Sequence, residues 1–173
     1  GVDVRRSDDD PSLGALVAAL GEVWEASLAL VTWELRYPYE GYAAACPGKL
    51  GPRLEDLVTR SRSMTLQEYG RCLDLRQDLR RRIARLRAEY DAFVMPASSG
   101  PAPEGLDFTG SRAFQTPWTF VGLPAWSMPG LWSAGLPFGL QLAGHEGDDL
   151  RLAGFAGWVE RLLNGSAEDV RRA

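Results

Sequence analysis

The sequence predicts an α/β fold in which strands of a mixed β-sheet are covered by helices. Long segments in the first half repeat apolar residues at helical spacing. Short apolar runs in the second half are closed by proline or glycine, the form of buried strands. The composition, 45% hydrophobic and 24% charged over 173 residues, is that of a soluble globular domain of ordinary size.

Val2-Asp3-Val4-Arg5 alternates and reads as a short strand at the start of the chain. Asp10-Pro11 then signals a helix start: the Asp carboxylate can accept from free N–H groups, and proline suits the first helical position. From Leu13, the apolar residues Leu16, Leu20, Val23, Trp24, Leu28, Val31 and Leu35 fall at helical spacing over about 11–36, and Pro38 is expected to end or bend this helix. Cys46-Pro47-Gly48 is a break, followed by a short helix over about 51–62 with Leu54, Leu57 and Val58 inward. Thr65-Leu66-Gln67-Glu68 forms a capping box for a third helix, about 66–90, whose stripe runs from Leu66 to Tyr90. Residues 11–90 are thus read as helical.

Residues 91–145 change character. Ala92-Phe93-Val94-Met95, closed by Pro96, is a buried strand by pattern. A Pro/Gly/Ser segment without periodicity runs from Pro96 to about Thr116, and a loop of that length inside a domain is usually functional. Ala125 to Met128 and Phe138 to Leu142 are two further strands. Gly147-Asp148-Asp149 caps a terminal helix over 148–163, which Asn164-Gly165 should end.

Several function classes are disfavoured. A net charge of −4 argues against a general nucleic-acid binder. The arginines between Arg71 and Arg87 read as a solvated helix face paired with Asp74, Asp78 and Glu89. No apolar run reaches the roughly 18 residues of a membrane helix, and no charged-then-apolar leader is legible, so no membrane partner and a cytoplasmic location are expected. Two cysteines, Cys46 and Cys72, suit a reduced chain. His145 is the one histidine, which disfavours a histidine-based metal site. It sits in a loop after a strand, where a histidine is expected to be exposed. Lys49 is the only lysine beside eighteen arginines, a codon bias pointing to a GC-rich bacterial genome. Ser98-Ser99 lack a Gly-x-Ser-x-Gly elbow and a nearby base, and read as loop polar groups.

The informative stretch is Phe114-Gln115-Thr116-Pro117-Trp118-Thr119-Phe120-Val121-Gly122-Leu123-Pro124-Ala125-Trp126-Ser127-Met128-Pro129, followed by Gly135-Leu136-Pro137-Phe138-Gly139-Leu140-Gln141-Leu142-Ala143-Gly144. Aromatic surfaces with a few Thr and Gln side chains, shaped by Pro and Gly, can form a ligand wall. The alternative is a core turn with buried tryptophans.

This motif string resembles the C-terminal part of the amidase signature family, as does Tyr90-Asp91-Ala92-Phe93-Val94-Met95-Pro96 through Gly100-Pro101-Ala102-Pro103. The resemblance spans most of the chain, most firmly residues 65–160. It implies the C-terminal portion of the amidase signature fold, all of 1–173 being part of a single amidase-like domain. Family members hydrolyse carboxamides with a Ser–cis-Ser–Lys triad and need neither metal nor organic cofactor. The Gly/Ser-rich segment of that triad is absent here, and Lys49 stands in a Pro/Gly break, so no catalytic residue carries over. What carries over is the substrate wall: Phe114, Gln115, Thr116 and Trp118, expected to face an apolar or aromatic acyl group. The implied partners are an N-terminal amidase portion bearing the triad, on the same or a separate chain, and a small-molecule amide. A homo-oligomer is compatible with the sheet edges that so few strands leave open. The expected function is therefore a segment or subunit of an amide hydrolase, not catalytic alone. The alternative is a catalytically inactive amidase-like binding or structural module.

Overall fold

A computed structural model describes residues 2–172, and their side chains as far as Leu163. The chain divides into two compact units, residues 1–79 and 80–173.

The first unit is helical. Helix α1 spans Pro11–Gly21, and the Asp10 carboxylate accepts from the Ser12 and Leu13 N–H groups at 2.7 and 3.2 Å. Leu13, Leu16 and Leu20 are its buried stripe. Helix α2 follows at once over Val23–Ala45. The single helix expected over 11–36 is thus two, bent by 45° at Glu22. The bend falls beside Gly21, which costs a helix about 1 kcal/mol relative to alanine. Pro38, expected to end or bend the helix, lies inside α2 without terminating it. It is exposed there, where water can satisfy the carbonyl its ring leaves unpaired. Val2–Arg5 forms no strand; these residues are exposed and irregular, with no strand to pair with among the described residues of this unit. No single helix is long and apolar enough to cross a membrane, although the bent pair α1–α2 reaches that length and composition jointly.

Replacing Asp10 by alanine should cost about 1 kcal/mol by freeing two N–H groups at the start of α1. The urea midpoint reads this, and an unmoved midpoint would mean that the cap contributes nothing to stability.

Helix α3, Pro52–Ser63, packs on α2 and buries Val58. Its buried Ser61 hydroxyl donates to the Val58 carbonyl. Helix α4 spans Leu66–Arg85 and starts with the expected capping box. The Thr65 N–H donates to Glu68 Oε2 at 2.7 Å, and the Glu68 N–H to Thr65 Oγ1 at 3.2 Å. The Thr65 N–H and the Thr65 hydroxyl, both donating to the Glu68 carboxylate, hold it below its ordinary range. Tyr69 stacks on Trp33 with ring centroids 5.3 Å apart. Cys46 and Cys72 are both free thiols; burial pushes the Cys72 thiol up.

The second unit is built on a sheet. A 3₁₀ turn at Leu86–Ala88 follows α4, then β1 at Phe93–Pro96, β2 at Ala125–Ser133 and β3 at Leu136–Ala143. The order is β1-β3-β2 and both pairings are antiparallel. The chain thus has the α/β class read from its sequence. A mixed sheet would need a parallel neighbour beyond these three strands.

Strands β2 and β3 form one long hairpin, longer than either predicted strand. The connection is Ala134-Gly135, both with positive φ (50° and 77°), the turn type whose twist matches the flanking strands. Alanine is a poor signal for that turn, so the sequence does not announce it. A bulge at Pro129/Leu131 bends β2. A side chain on Gly130, at φ 151°, would run into Leu163 of the terminal helix α6.

Helix α6 spans Asp149–Arg172, so Asn164-Gly165 lies within it rather than at its end. Leu152 and Ala156 of α6 pack with Met128 and Leu142 to form the core on one face of the sheet. Arg80 and Arg87 bond forward, to Glu146 and Asp148 in the loop after β3, rather than to the helical neighbours expected from spacing. Arg80 also donates to the Val121 carbonyl at 3.0 Å. Arg151 pairs with Asp91.

Candidate functional site

The segment after β1 leaves the sheet under control at both ends. The Ala97 N–H donates to the Gly139 carbonyl at 2.7 Å, extending the β1–β3 pairing by one bond. Gly139 is needed there: a Cβ would come within 3.0 Å of both Ser127 Oγ and Ala97 Cβ. At the far end, Gln115 Nε2 donates back to the Ala97 carbonyl at 2.7 Å. The buried Gln141 of β3 donates to the Phe114 carbonyl at 3.0 Å. These three bonds turn residues 97–115 into a closed loop standing on the sheet.

Helix α5, Thr116–Val121, is the continuation. Its first turn forms where the Gln115 and Thr116 N–H groups donate to the Arg112 carbonyl. The sequence read this stretch as loop. The helix signal was nonetheless present, in Pro117 just inside the start and Gly122, at φ 66°, just past the end.

The loop borders an open cavity of about 400 Å³. Its walls are Ser98 to Pro103 on one side and Phe108 to Arg112 on the other, with Gln115 between. Hydroxyls from Ser98, Ser99, Thr109 and Ser111 line it, and Arg112 is its one charged lining residue among the described residues. Glu104 and Asp107 belong to the same loop but do not line the cavity. The Ser98 hydroxyl donates to the Gly100 carbonyl at 2.5 Å, and Ser111 Oγ accepts from the Ala113 N–H.

The four residues singled out from sequence are therefore divided. Gln115 lines the cavity. Phe114 and Thr116 are half-buried beside it. Trp118 is only 3% exposed and turns toward the sheet. It stacks on Phe93 with centroids 5.4 Å apart, and its Nε1–H points at Met95 Sδ, 2.9 Å away. Phe120 is buried as well. Trp118 thus covers part of the second face of the sheet, and the lining of the cavity is divided between polar side chains and Gly, Pro, Ala and Phe. Arg112 takes its place in the wall from the turn that feeds α5.

His145, expected to be exposed, is 2% exposed. Its Nε2 lies 2.7 Å from the Tyr90 carbonyl, and the ring meets Phe93 edge to face. A contact with a carbonyl requires the proton on Nε2, so that nitrogen cannot act as a base. Nδ1 is buried without a protein partner among the described residues. The imidazole is a packing element of the β3–α6 loop.

Comparison with known proteins agrees with the motifs. The family model described as Amidase matches residues 36–153. A glutamyl-tRNA(Gln) amidotransferase subunit from Pseudothermotoga lettingae is 30% identical over 99 residues, 54% of this chain and 21% of that protein. A crystal structure of an amidase superposes with a TM-score of 0.73 at 24% identity, covering 82% of this chain and 36% of the other. A 6-aminohexanoate cyclic dimer hydrolase, solved with its substrate, gives a TM-score of 0.58 at 21% identity, covering 82% and 37%. The chain thus spans about a fifth of the curated relative and little more than a third of these solved chains. The structural likeness, at these identities, establishes the fold, and the family model covers more than half of the sequence. The chain belongs to the amidase signature family.

Proposed function

We propose that this chain is the C-terminal part of a single amidase-like domain, which hydrolyses a carboxamide once joined to an N-terminal portion carrying a Ser–Ser–Lys triad. One observation carries the reading: the chain belongs to the amidase family yet covers only 36% of a solved amidase, and no Gly/Ser-rich triad segment is in its sequence. The open edges of β1 and β2 support it, since a three-stranded sheet leaves backbone donors and acceptors that further strands would pair. In the assembled enzyme the triad serine would attack the carbonyl, and backbone N–H groups would hold the oxyanion. This chain's share is the acyl side of the pocket. Gln115 faces the substrate there, while Phe114, Thr116 and Trp118 hold the wall from behind. A location in the cytoplasm fits the two free thiols.

The test is co-expression with the upstream amidase segment. The two parts should co-elute and hydrolyse simple amides, with activity lost when the triad serine of the upstream segment is replaced by alanine. Stable co-elution without turnover of any amide would instead favour the inactive binding module.

A further inference from the structure

We propose that residues 104–109 form a flap that closes over the acyl part of the substrate, with Phe108 as the residue that selects an apolar acyl chain. The inference rests on the amidase reading and names its substrate class.

The loop has fixed ends and a free middle. Hydrogen bonds hold it at Ala97, Phe114 and Gln115. Between them, residues 101–110 make no hydrogen bond or ion pair among the described residues. The middle is nonetheless gathered at a neck: a Cβ on Gly110 would lie 3.8 Å from the Pro103 ring, so the chain returns on itself there. The residues beyond that neck form the flap, a compact surface loop whose ends meet. Gly105 and Gly110 flank its apolar part at φ 87° and 99°, a region that glycine enters without strain. These two positions can take up a change of angle while the ends stay bonded. Pro101 and Pro103, whose rings fix φ, stiffen the facing wall of the groove.

The flap carries Leu106 at 99% exposure and Phe108 at 61%. Phe108 borders the groove, with Pro101, Ala102 and Pro103 in the facing wall. While water fills the groove, closing the flap brings the ring no apolar contact. An alkyl chain lying there lets the ring and the chain both exchange water for apolar surface. Closure is thus tied to the ligand, through the higher affinity of the closed state for an apolar group. An aromatic ring suits this task, because it covers a large area with few torsions to freeze.

The experiment uses the assembled enzyme and two neutral amides: hexanamide, with an alkyl chain for the ring to cover, and acetamide, with a single methyl. Phe108→Ala should lower kcat/KM for hexanamide roughly 10-fold and leave acetamide within about threefold. Phe108→Leu, still apolar, should recover most of the loss. Both variants should melt as the parent does, since the ring is exposed. Flap movement is read separately by chymotrypsin, which cuts after Phe108. In an assembled enzyme whose triad serine is alanine, hexanamide should slow that cut about fivefold or more, and acetamide should not. Equal losses on both amides, or a cut indifferent to hexanamide, would overturn the proposal. A flap already resistant before any amide is added would mean that Leu106 and Phe108 lie against the upstream portion, and would refute the lid. Hexanamide-dependent protection in a protein whose intact triad hydrolyses no amide would keep the flap and refute the hydrolase reading.

Discussion

Trp118→Ala is expected to destabilise the second unit by about 3–5 kcal/mol, the range for truncating a large aromatic residue in a packed core. That is a large part of the 5–15 kcal/mol that holds a typical domain folded. The side chain is buried on the sheet face opposite α6, stacked on Phe93 and directed at Met95 sulfur. Removing it leaves a void bounded by β1 and takes away the support under the strand from which the 97–115 loop departs. Trp118→Phe should cost less, since a ring still fills most of the space and only the N–H contact to sulfur is lost. Thermal melting of the assembled protein reads both variants. The ratio of kcat/KM between a neutral and a charged amide should stay the same for whatever fraction remains folded. An unchanged melt combined with a changed substrate ratio would show that Trp118 meets the ligand, as its sequence context first suggests.

The 173-residue chain alone should hydrolyse no amide, a difference of many orders of magnitude from an assembled amidase. A nucleophile works when a base lies within hydrogen-bond reach and removes its proton. The Ser98 hydroxyl donates to the Gly100 carbonyl, which cannot take its proton. His145 is turned to the Tyr90 carbonyl and is buried. Lys49 is exposed in the turn after α2. Turnover of an aryl amide by the purified chain, abolished by Ser98→Ala or Ser99→Ala, would refute this and with it the need for an upstream triad.

Local signals determined much of the chain. Asp10-Pro11, the Thr65–Glu68 box and the periodicity of α3 and α4 are helix signals that act within a few residues, and the structure follows them. The apolar run closed by Pro96 is likewise a strand. The motif string from Phe114 to Gly144 carried the family, because a long set of specific residues at specific spacing is hard to produce by chance. Tertiary structure decided where side chains point. Trp118 and Gln115 stand three residues apart in one aromatic-polar stretch, and nothing local says that one meets the sheet while the other lines a cavity. That outcome depends on Phe93 and Met95 presenting an apolar face that Trp118 can cover, and on the Ala97 carbonyl that captures Gln115. His145 was hidden for the same reason: a carbonyl fifty-five residues earlier, on Tyr90, draws it inside. The Ala134-Gly135 hairpin turn was set by pairing over the whole length of β2 and β3, which outweighs the poor fit of alanine at positive φ. Short-range physics is written in neighbouring residues; burial and the lining of a cavity are settled by partners distant in sequence, whose contacts exist only once the sheet has formed.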